Sequence, residues 1–221
     1  MKKILSLAAI TLIAGSLNAQ TLSFGPTAGF GHSWLRLPDD AGDNVNREFH
    51  PAYNLGAKLV YSFVSDWGIS ADVKFSSEGG TFEENGGGTE SKYRYRLNYV
   101  RVPLQGIYFF EQLGDRVRPK VSLGPSFGFL VGGKIKNEED GNTVSEADAK
   151  DFAKTFDFGA TVAVGANFRV GGDKWLNADI SYAHGFTGVA DNGASGSDNF
   201  KNSGLGINIG LLFPLSKPGK K

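Results

Sequence analysis

One pattern constrains this chain more than any other: apolar and polar residues alternate with period two almost from end to end. Leu22, Phe24, Pro26, Ala28 and Phe30 alternate with Ser23, Gly25, Thr27 and Gly29. The same rhythm returns over residues 53–63, 69–75, 121–131, 156–169, 176–182 and 204–213. A further strand-like run covers 93–110, where parity blurs near Pro103 and a bulge is expected, since proline cannot donate to a ladder. Period two is the signature of strands with one face in an apolar environment. Eight such segments predict an all-β fold.

The connections alternate in length. Those at 64–66, 111–116 and 171–174 are short; those at 37–51, 77–91, 132–153 and 188–201 are long and rich in Gly, Asn, Asp and Glu. The third of these is expected to hold a short helical turn near Ser145 to Lys150. Several segments exceed the ordinary soluble strand of ~5–6 residues and reach the ~9–11 that a tilted strand needs to cross a bilayer. Short turns at one end and long loops at the other predict an eight-stranded antiparallel up-and-down transmembrane β-barrel over residues 20–213.

Alternation does not say which face is outside, because a soluble barrel of lipocalin type has the same rhythm with opposite polarity. Side-chain size decides. Glycine supplies 31 of 221 residues. With Ser, Thr and Asn it gathers on one face, while large apolar residues gather on the other. An eight-stranded barrel is only just wide enough inside for side chains to fill. The small set therefore belongs inside. Leu55, Leu59, Phe63, Val73, Leu123, Phe127, Val162, Val164, Phe168, Ile180, Ile207, Ile209, Leu211 and Phe213 are expected to face lipid. The polar face carries Lys58, Asp72, Lys74, Arg118, Lys120, Asp157, Arg169 and Asp179. Charges of both signs in a narrow lumen predict a salt-bridged plug rather than an open ion path.

Aromatic residues support the orientation. Tyr61, Phe63, Trp67, Phe110, Phe168, Trp175 and Phe213 lie near the short turns, and Phe30, Tyr53, Tyr93, Tyr95, Phe129, Phe156 and Phe186 near the long loops. Two belts suit the two lipid–water interfaces. The final strand ends on Phe213 and resembles the signal read by the barrel-assembly machinery; a short periplasmic tail, 214–221, is expected to follow.

The N-terminus reads as an address. Lys2 and Lys3 precede an apolar run over 4–15, and Ala19 offers a small residue for cleavage. A secretory signal peptide over 1–19 is expected, with delivery to the outer membrane of a Gram-negative cell. Outer-membrane lipids and lipopolysaccharide are then the expected partners. Zero cysteines rule out thiolate metal sites and thiol nucleophiles. A formal charge of zero gives no footprint for nucleic acid.

Little points to chemistry. His32, His50 and His184 are the histidines, and nothing in their spacing makes a Ser–His–acid constellation. The acidic run at Glu138, Glu139 and Asp140 and the Asp-rich stretch 191–198 do not fit a twelve-residue calcium loop. No catalytic residue, metal or cofactor is expected. The readings left open are a structural or binding barrel, a narrow passive channel, an accessory component of a secretion apparatus, and a lipid A-modifying enzyme.

Three strand motifs carry a family likeness. Leu97-Asn98-Tyr99-Val100-Arg101-Val102-Pro103-Leu104, Pro119-Lys120-Val121-Ser122-Leu123-Gly124-Pro125-Ser126, and Phe156-Asp157-Phe158-Gly159-Ala160 with Val164-Gly165-Ala166 occur in this order. Together they resemble the PorT-like outer-membrane β-barrel family. The resemblance implies an exported eight-stranded barrel, and a named branch of that family serves protein secretion.

Overall fold

A computed structural model describes residues 21–36, 46–63, 66–86, 89–114, 116–191 and 200–215. The expected signal peptide and most of the expected tail lie outside the described residues. Among the described residues there are ten strands: β1 (Thr21–Arg36), β2 (Asn46–Glu48), β3 (His50–Ser62), β4 (Trp67–Gly86), β5 (Thr89–Phe109), β6 (Val117–Glu139), β7 (Asn142–Asp148), β8 (Phe156–Gly171), β9 (Lys174–Gly185) and β10 (Lys201–Pro214). Eight of them form a ring in which each pairs antiparallel with its neighbours: β1, β3, β4, β5, β6, β8, β9 and β10. The ring closes where β10 pairs with β1, Ala28 opposite Ile209. Closure leaves the wall without an edge, which a sheet surrounded by hydrocarbon requires. The remaining two strands extend the wall at the long-loop end, β2 against β4 and β7 against β6.

All eight expected segments are strands, but the strands run further than their apolar stretches. Residues 77–86 and 89–91, expected as loop, continue a hairpin in which Glu78 pairs with Leu97 and Gly86 with Thr89. Residues 132–148, also expected as loop, complete β6 and form β7. The helical turn expected at 145–150 is displaced: Ala149–Asp151 make one 3-10 turn, its Lys150 amide donating to the Asp148 carboxylate at 2.9 Å. Beyond the bilayer the outward face meets water instead of lipid, so the apolar outward row that marks the embedded stretch ends there, while inward residues such as Phe82 stay buried.

The bulge also lies elsewhere. Pro103 stays in register opposite Ser126, and the ladder shifts instead at Asn98/Tyr99, where Tyr99 faces Leu130 and Asn98 faces Gly132. Val131 is the extra residue. Gly79 (φ 131°) and Gly133 (φ 147°) flank this point on the two neighbours of β5. A Cβ on Gly133 would stand 2.1 Å from the Arg96 carbonyl oxygen. Positive φ and close approach together require glycine there. Gly133→Val is expected to lower unfolding free energy by about 1–3 kcal/mol, measured by urea denaturation in detergent micelles.

Candidate functional site

Parity in the closed ring sorts each side chain inward or outward. Ile207, Val162 and Leu59 are 58, 45 and 38 % exposed and point away from the axis. The other residues expected on the lipid side share that face, with Phe127 and Leu211 half-buried among their neighbours; Phe127 packs on Phe158 at 5.5 Å between ring centroids.

The inward face is filled in layers. At the short-turn end Val60, Ile107, Phe109 and Leu212 form a buried apolar cluster, with Trp175 packed against it. Arg118 lies over the Phe109 ring at 4.2 Å and reaches Asp66 at 3.7 Å. Above this comes an ionic layer. Lys58 Nζ sits 3.4 Å from Asp72 and 3.9 Å from Asp179; Lys120 Nζ is 2.7 Å from Asp179. Asn177 donates to both Asp179 and Asn167 at 3.1 Å.

A second ionic layer lies nearer the long-loop end. Arg101 forms a two-point contact with Glu78, Nε to Oε1 at 2.6 Å and Nη2 to Oε2 at 2.5 Å, while Nη2 also reaches Asp157 Oδ2 at 2.6 Å. Ser76 donates to Glu78 at 2.7 Å, and Thr187 donates to Asp157 at 2.8 Å. Both carboxylates are thus held by a cation and a hydroxyl, which a buried charge requires. Lys74 lies between the layers and makes no ion pair within 4 Å among the described residues. It lines a cavity of about 90 Å³ with Asn54, Ser76, Ser181 and Asn208, room for about three waters. Among the described residues, four cations (Lys58, Lys74, Arg101, Lys120) therefore share the lumen with four carboxylates (Asp72, Glu78, Asp157, Asp179). Over this layer Leu35, Phe82, Leu97, Tyr99, Leu130, Ala149, Ala153 and Val189 close the barrel with a second apolar cluster.

Several sequence expectations need correction. Arg169 has inward parity but lies past the end of the lumen, exposed and paired with Asp173 in the turn at 3.3 Å. Arg118 caps the mouth instead of joining the ionic layer. Parity fixes a face but not a height. Tyr93 and Tyr95 pack against the upper apolar cluster and Trp175 against the lower one, so these three leave the expected outer belts. Glu78 and Arg101, absent from the expected network, are central to it. Arg101 was obscured because β5 carries bulky residues inward, namely Leu97, Tyr99, Ile107 and Phe109. Glycines opposite make the room: a Cβ on Gly128 would stand 2.9 Å from Arg101 Nη1 and 3.3 Å from Tyr99 Cδ1.

The histidines lie at the long-loop end. His50 N donates to His32 Nδ1 at 3.1 Å, and the His32 ring stacks on Phe49 at 4.9 Å. His184 Nδ1 pairs with the Tyr182 hydroxyl at 3.0 Å, and Trp34 lies 6.2 Å from the Tyr182 ring. This is an aromatic collar on the outward surface. His50 is fully buried with Nδ1 at 2.9 Å from the Thr81 hydroxyl.

Among solved structures, the chain is similar to the outer membrane protein OprG from Pseudomonas aeruginosa (TM-score 0.53, 13 % identity, 90 % of this chain and 98 % of that one). It is also similar to Neisserial surface protein A (TM-score 0.43, 14 % identity, 86 % and 97 %) and to the E. coli outer membrane protein W (TM-score 0.43, 12 % identity, 89 % and 100 %). No curated protein matches the sequence. A family of outer membrane proteins, described as the outer membrane protein beta-barrel domain, matches residues 18–191, which is most of the chain. With a closed eight-stranded ring, an apolar exterior and an ionic interior, this protein belongs to that family and resides in the outer membrane.

Proposed function

We propose that this protein is a closed, non-conducting barrel that anchors an extended extracellular end and acts by binding there. The layered lumen carries the reading. An ion crossing it would have to push through a pair of apolar clusters and break into both sets of paired charges, and removing one partner of a buried pair costs about 3–5 kcal/mol. Planar bilayers containing the purified chain are expected to stay electrically silent. Steady unitary conductance would instead establish the channel reading.

The strand motifs at 97–104, 119–126 and 156–166 favour a second, narrower reading, membership of the PorT-like branch with a partner in a secretion apparatus. Capture of native complexes from outer membranes tests it: recovery of secretion components supports it, and recovery of the chain alone removes it.

We further propose that the barrel performs no catalysis. The observation behind this is that each histidine ring nitrogen with a partner contacts backbone, a tyrosine or a threonine. Overexpression is expected to leave the mass of lipid A unchanged. A new lipid A species that disappears with His184→Ala would contradict it.

A further inference from the structure

Where β5 and β6 leave the apolar band, four cations share the outward face. The register sets Arg94 opposite Lys136 and Arg96 opposite Lys134. Like charges directly opposite across two strands are destabilising, so two such rungs in succession call for a counter-charge. The protein supplies some of it. Glu138 lies 3.5 Å from Arg94, and Glu146 on β7 contacts both Lys134 and Lys136, the latter at 3.2 Å. Those lysines hold the Glu146 carboxyl below its ordinary range, chiefly through the Lys134 hydrogen bond. Arg96 has no ion pair among the described residues. The four cations line one cleft with Asn98 and Gly133.

Height identifies the occupant. On β5 the outward residues from Tyr108 to Val100 are apolar apart from Gly106, and on β6 Val121, Leu123, Pro125, Phe127, Phe129 and Val131 continue that band. About ten residues of tilted strand span the ~25 Å of an outer-membrane barrel's apolar belt. The cleft begins immediately above it. It also lies at the end away from both the start of β1 and the end of β10, hence on the side of the long extracellular connections. We propose that this cleft binds a phosphate group on the head of a glycolipid in the outer leaflet, with Arg96 and Lys134 as its principal donors. Guanidinium and ammonium groups at this depth meet head groups that water screens only incompletely, where charge-assisted hydrogen bonds are strongest. Glu146 holds the lysines until the phosphate displaces it. The proposal rests on the outer-membrane location and not on the closed lumen.

The test uses the full chain in detergent micelles and native mass spectrometry to count retained lipid, with bis-phosphorylated lipid A, its dephosphorylated form, inorganic phosphate and heparin as probes. Wild-type protein is expected to retain bis-phosphorylated lipid A at least about tenfold better than the dephosphorylated form, the equivalent of losing one charge-assisted contact. Arg96→Gln with Lys134→Gln is expected to abolish that preference, while Glu146→Gln strengthens it. Heat-modifiable migration confirms that each variant is folded, and any that is not is replaced by the corresponding single substitution. Equal retention of both lipids, equal retention by the double variant, or displacement of lipid A by inorganic phosphate or heparin at equal concentration would each overturn the proposal.

Discussion

Arg101→Leu is expected to lower the unfolding free energy by about 3–5 kcal/mol, because it leaves the Glu78 and Asp157 carboxylates buried without their shared cation. The cost comes from desolvation and not from the loss of attraction alone. In water the two carboxylates would be solvated; in the lumen Ser76 and Thr187 each supply one hydroxyl, which does not replace a guanidinium. A triple variant tests this account. Arg101→Met with Glu78→Gln and Asp157→Asn removes all three charges, and it is expected to recover most of the loss, since a neutral filling of similar volume is often as stable as a buried ion pair. Urea titration in micelles, followed by tryptophan fluorescence, reads both. A single variant as stable as wild type would mean that the upper ionic layer bears no weight in the fold.

The second large effect lies on the opposite face. Val162 and Leu123 are cross-strand neighbours, both exposed and both near the middle of the apolar band. Val162→Arg is expected to cost about 2–4 kcal/mol in a bilayer, because an arginine at mid-depth must desolvate or distort the lipid around it. Phe213→Arg, at the rim, is expected to cost about 0–1 kcal/mol. The depth dependence is the informative feature. A soluble barrel of the same topology would tolerate both substitutions alike, since each would merely add a charge to a wetted surface.

These two faces were unequally legible in the sequence. The outward face could be read because one property, apolar bulk, selects every residue on it: Leu55, Val73, Val162 and Ile207 need no partner to be recognised. The inward face follows a subtler rule. Its residues must fill a fixed width jointly, so a glycine on one strand licenses a bulky group on another. Tyr99 and Arg101 stand inward because Gly128 faces them, and that pairing depends on a register that alternation does not reveal. Pro103 predicts a bulge, but its register opposite Ser126 is kept and only the pairing with β4 lapses at 102–103; the shift falls at Val131, next to the glycine pair 132–133. Glu78 is hidden by its neighbours, since residues 77–86 and 89–91 carry the composition of a loop yet continue β4 and β5, with Glu78 turned into the lumen. Arg169 shows the converse, a residue of the right parity that the ends of the strands place outside the lumen.

The basic cleft is hidden in the sequence because it too depends on register. Arg94 and Arg96 alternate with Tyr93 and Tyr95 and read as an ordinary polar face of a strand. Only the register opposite Lys136 and Lys134 turns four scattered cations into one surface with an incomplete counter-charge.

The orientation of the wall is the claim on which the rest depends, and lipid-to-protein magnetisation transfer in a bilayer tests it without any substitution. Saturating the acyl-chain protons is predicted to attenuate the methyl signals of Val162, Val164, Ile180, Ile207 and Ile209 strongly, and to leave those of Thr27, Thr161 and Ala163 nearly untouched. The reverse pattern, with the threonine and alanine methyls attenuated and the isoleucines spared, would contradict the account.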